Sequence, residues 1–235
     1  MVSAKFPLNL NQVVVHRQGK TVIGPLDLQL NADGVTIIVG PNGSGKTTLL
    51  RVMHGIDRIN VGQVNWAQDD PAKHAFVFQY PVVLRRSVAE NLAYPLRLLK
   101  VPKAEVDRSV AKQLARIGLR DKAEIFATRL SGGERQKLAI ARALIRRPDV
   151  LFLDEPCANL DGHATREIEA ILQEASAAGT RLVMATHDMG QARRLAQDVV
   201  FMLNGKIHES GKSEVIFVHP KTKELAAFLK GDIVV

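Results

Sequence analysis

Residues 35–48 read Val35-Thr36-Ile37-Ile38-Val39-Gly40-Pro41-Asn42-Gly43-Ser44-Gly45-Lys46-Thr47-Thr48. The first five are a β-branched run, apolar on both faces, as a buried central strand requires. Leu49, Leu50, Val52 and Met53 then recur at helical spacing. Between strand and helix, Gly40-x-x-x-x-Gly45-Lys46-Thr47 fills every position of the phosphate-binding loop. Glycines let successive backbone N–H groups turn inward around phosphate oxygens, and the following helix points its positive end at the same anion. Lys46 is expected to reach the β- and γ-phosphates, and the Thr47 hydroxyl to ligate Mg²⁺.

A second segment completes such a site. Val150-Leu151-Phe152-Leu153-Asp154-Glu155 is an apolar strand that delivers carboxylates at its C-terminal end, where α/β sheets bind ligands. Asp154 is expected to hold Mg²⁺, directly or through water. Glu155 is placed to polarise an attacking water as general base. A third segment, Leu130-Ser131-Gly132-Gly133-Glu134-Arg135-Gln136, opens another helix. Ser131 is an N-cap type, and the two glycines leave backbone N–H groups open to an anion. This second helix start lacks a lysine and carboxylate set of its own. The economical expectation is a site shared by two copies, with Ser131, Gly132 and Gly133 of one covering the γ-phosphate held by Lys46 of the other.

Outward from these segments, strand and helix alternate, which predicts a parallel sheet with helices on its faces. Residues 8–16 and 26–30 alternate apolar with polar around a Gly19-Lys20 turn signal, and 75–79 reads as another short strand. From 87 to 128 the pattern turns helical. Val106, Val110, Leu114 and Ile117 fall on one face, Gly118 is a stop signal, and Pro95 and Pro102 punctuate the region. Arg108, Lys112 and Arg116 form a basic stripe, either a solvated face or a binding surface. Helices are expected over 134–145, 164–178, 190–196 and 221–229, and strands over 150–153, 181–185 and 199–202. Asn204-Gly205 is a hairpin turn signal that should send 206–209 back as a paired strand.

The chain has 235 residues, 46 % hydrophobic and 24 % charged, which excludes a wholly disordered polypeptide. Its longest apolar runs fall far short of the roughly 20 residues that span a bilayer. The residues before Leu8 carry no apolar run, so no secretory leader is expected. The one cysteine, Cys157, excludes an internal disulfide and suits a reducing compartment. The net charge of +8 is spread along the chain, compatible with phosphate ligands, an anionic membrane surface or nucleic acid.

Taken in order, these segments resemble the ATP-binding cassette family over essentially the whole chain. The resemblance implies an α/β fold: a P-loop NTPase (RecA-like) core with an antiparallel β subdomain and an inserted helical subdomain. Residues 1–82 and 132–235 would form the core with its β subdomain, and 83–131 the helical insertion carrying the signature at its end. It implies ATP and Mg²⁺ as cofactors. Gly40, Pro41, Asn42, Gly43, Ser44, Gly45, Lys46, Thr47 and Thr48 would surround the phosphates, with Thr47, Gln79 and Asp154 about the metal. Gln79 in Val77-Phe78-Gln79 resembles the Q-loop glutamine, which contacts Mg²⁺ or the attacking water and senses the transmembrane partner. Asp161 in Ala158-Asn159-Leu160-Asp161 resembles the D-loop aspartate that runs between subunits. His187 in Thr186-His187-Asp188 resembles the switch histidine that bonds the γ-phosphate, so Glu155, His187, Gln79 and Lys46 are the implied catalytic group. Ser131, Gly132, Gly133 and Glu134 are the implied signature contributed by the opposite subunit. Two positions depart from the pattern. Arg17, beside His16, stands where an aromatic residue usually stacks on adenine, and either could take that ATP-binding role because a guanidinium plane or an imidazole also has a flat face; Cys157 stands where Ser or Thr is commoner.

Within the family, a membrane importer's energising subunit competes with a soluble nucleic-acid ATPase. The short span from Gln79 to Ser131, without heptads or a cysteine cluster, disfavours repair-type proteins; a single ATPase core disfavours translation-type ones. The importer reading implies a second, identical cassette, a transmembrane permease and, indirectly, a substrate-binding protein, and no nucleic acid. It places the chain peripherally at the cytoplasmic face of the inner membrane. The segment 87–96 resembles the start of the importer helical subdomain, 80–86 its coupling groove, and Phe217-x-x-Pro220 its C-terminal segment. Residues 186–196 with Phe228-Leu229-Lys230-Gly231 resemble tungstate importers and, more distantly, phosphate importers. Tungstate or a related oxyanion is the expected cargo, with phosphate or an amino acid as alternatives.

Overall fold

A computed structural model describes residues 7–31, 34–67, 70 and 73–232. The described residues group into two compact units, one within 1–71, 152–155 and 181–235, the other within 72–151 and 156–180.

The first unit holds two sheets. In the smaller, β1 (Leu8–Arg17) pairs antiparallel with β2 (Lys20–Leu30) and with β4 (Val61–Trp66), in the order β2-β1-β4. Leu8, Leu10, Val13, Val15, Ile23, Leu26 and Leu30 form its buried face. The step from Leu10 to Val13 breaks the two-residue period, because the register shifts there. Gln12 sits at the shift with φ 49°, and its backbone N–H and side-chain amide both donate to the Asp27 carboxylate. That third strand, β4, was not expected. Its residues are exposed or half-buried, so they carry no period for a sequence reading to find.

The larger sheet of this unit runs β6-β7-β3-β8-β9, with β3 (Val35–Val39), β6 (Val150–Asp154), β7 (Arg181–Ala185), β8 (Asp198–Leu203) and β9 (Lys206–Lys212). Only the end of β6 belongs to this unit. As its composition predicts, β3 is buried at every residue and pairs parallel with β7 and β8. Thr36 is tolerated inside because the Arg181 guanidinium donates to its hydroxyl at 2.5 Å. β8 returns antiparallel as β9 through Asn204 and Gly205, both with positive φ, the turn that dipeptide signals. The helices are α1 (Lys46–His54), α6 (Met189–Leu195), α7 (Ser213–Ile216) and α8 (Lys223–Lys230). α8 starts two residues later than expected because Thr222 is its N-cap. The buried Glu209 carboxylate accepts from the backbone N–H groups of Lys221 and Thr222 and from the Thr222 hydroxyl, which pins the chain just ahead of the helix.

The second unit contains β5 (His74–Val77), α2 (Val88–Leu98), α3 (Lys103–Arg116), α4 (Gly132–Leu144) and α5 (Gly162–Ala177). β5 stops at Val77, not at Gln79, since Phe78 is exposed. Val106, Val110, Leu114 and Ile117 are buried as their spacing predicts, and Gly118 follows with φ 68°. Pro102 is the N-cap of α3, but Pro95 lies inside α2 and does not end it. A Ser87–Glu90 capping box and burial of Val88, Asn91, Leu92, Ala93 and Leu96 outweigh the missing N–H. The basic stripe divides: Arg108 and Lys112 are exposed, while Arg116 donates to Glu174 at 2.8 Å and to the Ile171 carbonyl at 3.0 Å. Among the described residues no helix is long and apolar enough to cross a membrane.

Phe152, fully buried in β6, meets the rings of His54 and Trp66 edge-on at 5.6 and 6.3 Å between centroids. Phe152→Ala is expected to cost about 3–5 kcal/mol. The loss should show as a lower denaturant midpoint with an unchanged slope.

Candidate functional site

In the first unit, the turn between β3 and α1 lies against the end of β8. A Cβ on Gly40 (φ 151°) would sit 2.1 Å from the Met202 carbonyl oxygen, so only glycine lets the chain pass. The hairpin turn after β8 holds the loop from its other side. Gly205 donates its N–H to the Ser44 carbonyl at 3.1 Å, and its own carbonyl accepts from Gly24 at 2.8 Å. The phosphate-loop backbone is thus tied by a hydrogen bond from a distant hairpin, a contact that no local pattern announces.

The first turn of α1 carries the chemistry. Lys46 is buried, and its Nζ donates to the carbonyls of Gly40 at 2.8 Å and Pro41 at 3.0 Å. Burial pulls its pKa below the usual lysine value, while the nearby Glu155 and Asp154 charges pull it back up. Thr47 donates its hydroxyl to Asp154 Oδ1 at 2.9 Å, tying α1 to the end of β6. Burial pushes the Asp154 carboxyl above the usual range, against the Thr47 hydrogen bond and the Arg51 and Lys46 charges.

One residue later the backbone turns left-handed, with Glu155 at φ 49°. This breaks the strand alternation and aims Glu155 differently from Asp154. The Glu155 N–H donates to the Ala185 carbonyl at 3.0 Å, and its Oε2 lies 2.8 Å from His187 Nδ1. Glu155 is buried and the His187 side chain largely exposed. Lys46, Thr47, Asp154, Glu155 and His187, five residues singled out in the sequence, therefore belong to one unit at one end of its sheet.

These residues fit a phosphate and a hard cation. The Ser44 hydroxyl is buried in the loop and has no hydrogen-bond partner among the described residues, a donor suited to an anion oxygen. The Thr47 hydroxyl and Asp154 carboxylate are oxygen donors of the kind Mg²⁺ takes, one or two from protein and the remainder from water and phosphate. No cluster of three or more metal-binding His, Cys, Asp or Glu side chains occurs among the described residues. Arg17 and His16 both have protein partners. Arg17 forms an ion pair with Asp57, and His16 Nδ1 lies 3.1 Å from the Thr21 hydroxyl.

The second unit presents the other half of the sequence-derived set. Ser131 caps α4: its Oγ accepts from the Glu134 N–H at 3.3 Å, and Glu134 Oε2 accepts from the Ser131 N–H at 3.0 Å. Glu134 Oε1 accepts from Lys122 Nζ at 2.5 Å. Gly133 packs on α5, where a Cβ would lie 3.0 Å from that of Ala164. Asp161 caps α5, its Oδ1 accepting from the Ala164 N–H at 2.8 Å, and that bond lowers its pKa. Gln79 lies just past β5, half-buried, at the head of the segment leading to α2.

That segment is held by two residues the sequence reading passed over. Asn91 is fully buried; its Nδ2 donates to the carbonyls of Leu84, Arg86 and Ser87, and its Oδ1 accepts from the Leu84 N–H at 2.8 Å. Arg142, in the last turn of α4, donates to the Val82 carbonyl at 2.5 Å and to Asn91 Oδ1 at 3.2 Å. The available signal was Asn91 itself, a polar residue on an otherwise apolar helix face.

Known proteins match the chain over most of its length. A family profile described as ABC transporter matches residues 23–158. The chain is 38 % identical over 197 residues to the tungstate uptake system ATP-binding protein TupC of Peptoclostridium acidaminophilum, covering 82 % of this chain and 92 % of that one. It is 34 % identical over 218 residues to the spermidine/putrescine import ATP-binding protein PotA of Pseudomonas aeruginosa, covering 89 % of this chain but only 60 % of that one. Several curated relatives are similarly longer, so the chain spans about 60 % of their length. Among solved structures, cbiO1 of Clostridium perfringens, described as part of the ABC transporter complex cbiONQ, superposes with a TM-score of 0.82 at 26 % identity, with 92 % of each chain covered.

The raised Asp154 pKa has a defined stability consequence. A buried acid whose folded pKa is raised binds its proton more tightly folded than unfolded, so it weakens the fold as pH rises above the ordinary carboxylate range, about pH 4. Without metal or nucleotide, Asp154→Asn should therefore be more stable than the parent at pH 7. The advantage should vanish toward pH 4, as thermal melts across that interval will show.

Proposed function

Because the chain belongs to the ABC transporter family, we propose that it is the ATP-binding and ATP-hydrolysing subunit of a membrane importer. The observation that carries this reading is the grouping of Lys46, Thr47, Asp154 and the Glu155–His187 pair at one end of the sheet. Lys46 and the loop N–H groups would bind the β- and γ-phosphates. Thr47 and Asp154 would hold Mg²⁺, with Gln79 as a further ligand; the ion supplies neutralisation of phosphate charge. Glu155 would orient and deprotonate the attacking water, and His187, 2.8 Å away, would fix that carboxylate and reach the γ-phosphate. Ser131, Gly132 and Gly133 of a second copy would cover the same phosphate, with Glu134 closing the cap behind them, and Asp161 would lie along the subunit boundary. Two ATP molecules would then hold the pair closed until hydrolysis.

In this reading residues 83–131 are the helical part that answers to the permease, and exposed Tyr80 and Val82, just beyond Gln79, belong to the surface it would touch. The chain would sit peripherally on the cytoplasmic face of the inner membrane, without nucleic acid. The TupC match, which extends over 92 % of that relative, supports tungstate or a related oxyanion as cargo. Relatives named for spermidine/putrescine, methionine and iron import make those the competing cargoes.

Glu155→Gln should retain ATP binding, lose roughly 100-fold or more in turnover, and accumulate as an ATP-dependent dimer on size exclusion. Wild-type turnover in that variant would remove Glu155 as the base. Lys46→Ala should lose nucleotide affinity in the same experiment. Tagged Glu155→Gln protein captured with ATP from gently solubilised membranes should bring a multi-span permease. Recovery of nucleic acid with no membrane partner would overturn the transport assignment.

A further inference from the structure

Glu134 sets a charge problem at the start of α4. A carboxylate in a first helical turn normally complements the helix dipole, but the dipole and free N–H groups are also what a phosphate would use. An uncompensated Glu134 would close the cap and repel the γ-phosphate at once. Lys122 lies at the end of a short 3₁₀ turn, Arg120–Lys122, that follows α3. Its Nζ is 2.5 Å from Glu134 Oε1, while Oε2 stays on the Ser131 N–H at 3.0 Å. Both Glu134 oxygens are thus engaged, and its charge is matched by a partner in the same unit.

We propose that Lys122 is a positioning residue for the phosphate-facing end of α4. It locks the Glu134 carboxylate into the capping box and cancels its charge, so that the Ser131 hydroxyl and the Gly132 and Gly133 N–H groups can meet the γ-phosphate of a partner copy. The inference rests on the shared-site reading of the preceding subsection and adds to it a residue outside the signature. It agrees with the lowered Glu134 pKa, whose largest cause is the Lys122 hydrogen bond. A lysine that only decorated the surface would behave differently. With the Lys122 side chain 44 % exposed, an ordinary exposed pair would contribute little to stability and nothing specific to nucleotide-driven assembly.

The test uses the full chain carrying Glu155→Gln, with ATP-dependent self-association followed by analytical ultracentrifugation across ATP concentration and ionic strength. Lys122→Ala should raise the ATP concentration needed for association on the order of five-fold per site, the scale of one charge interaction near a surface. ATP binding by the monomer should stay at the parent value, and the defect should grow as salt is lowered. Adding Glu134→Gln to Lys122→Ala should restore association, since glutamine still closes the capping box without the charge. Lys122→Arg should also restore it. Parental association in Lys122→Ala would overturn the proposal. So would a defect that Glu134→Gln fails to relieve, which would assign Lys122 to packing alone. A Glu155→Gln parent that binds ATP yet never associates would remove the shared-site reading itself and the proposal with it, an outcome distinct from a defect confined to Lys122→Ala.

Discussion

The hydrogen bond from the Thr47 hydroxyl to Asp154 Oδ1 joins two segments 107 residues apart and defines where the first unit can do chemistry. Around it the fold buries an amine and a carboxylate, and each is displaced in the direction that disfavours its charge: Lys46 downward, Asp154 upward. Groups held in that way are costly to an empty site and suited to a filled one. A polyphosphate would return negative charge to Lys46, and a divalent cation would return positive charge to Asp154. The same burial that weakens the empty protein therefore favours the loaded one.

The rigidity that this demands comes from backbone contacts. The loop cannot relax away from β8 because Gly40 passes the Met202 carbonyl at a distance that excludes any side chain. It cannot relax away from the hairpin because Gly205 donates to the Ser44 carbonyl. On the other side of the site, the left-handed backbone at Glu155 is fixed by its N–H to Ala185, and its carboxylate by His187. An uncommon conformation at a non-glycine residue persists only where its surroundings determine it, and here two hydrogen bonds do so. Preorganisation of this kind lets a few polar groups act without reorganising as charge develops.

Much of this was legible in the sequence because the informative features are local. The buried β3 run, the glycine-lysine-threonine loop, the Asp154-Glu155 strand end and the Asn204-Gly205 turn each carry their meaning within a few residues, and the structure places each on the expected element. What escaped was non-local. β4 is recruited by β1 and buries too little to show a period. The Gln12 shift depends on Asp27, fifteen residues away. Asn91 and Arg142 look like an ordinary polar residue and an ordinary basic one until folding brings them to the backbone carbonyls beyond Gln79. Pro95 misled for the converse reason: its local preference is real, but a capped and buried helix overrides it.

The two helix starts differ in a way that gives the proposed mechanism its conditionality. The start of α1 has a buried lysine, a buried hydroxyl without a partner among the described residues and a carboxylate suited to a cation, the set that would hold a polyphosphate in the proposed function. The start of α4 has N–H groups and a capping hydroxyl, and its nearby Lys122 is paired with Glu134. In the proposed function it would add contacts to a phosphate already fixed and neutralised elsewhere. Two identical chains would then attract each other through these surfaces only when nucleotide is bound. Losing the γ-phosphate would remove the one group that both surfaces share, and assembly of this sort is reversed by its own chemistry.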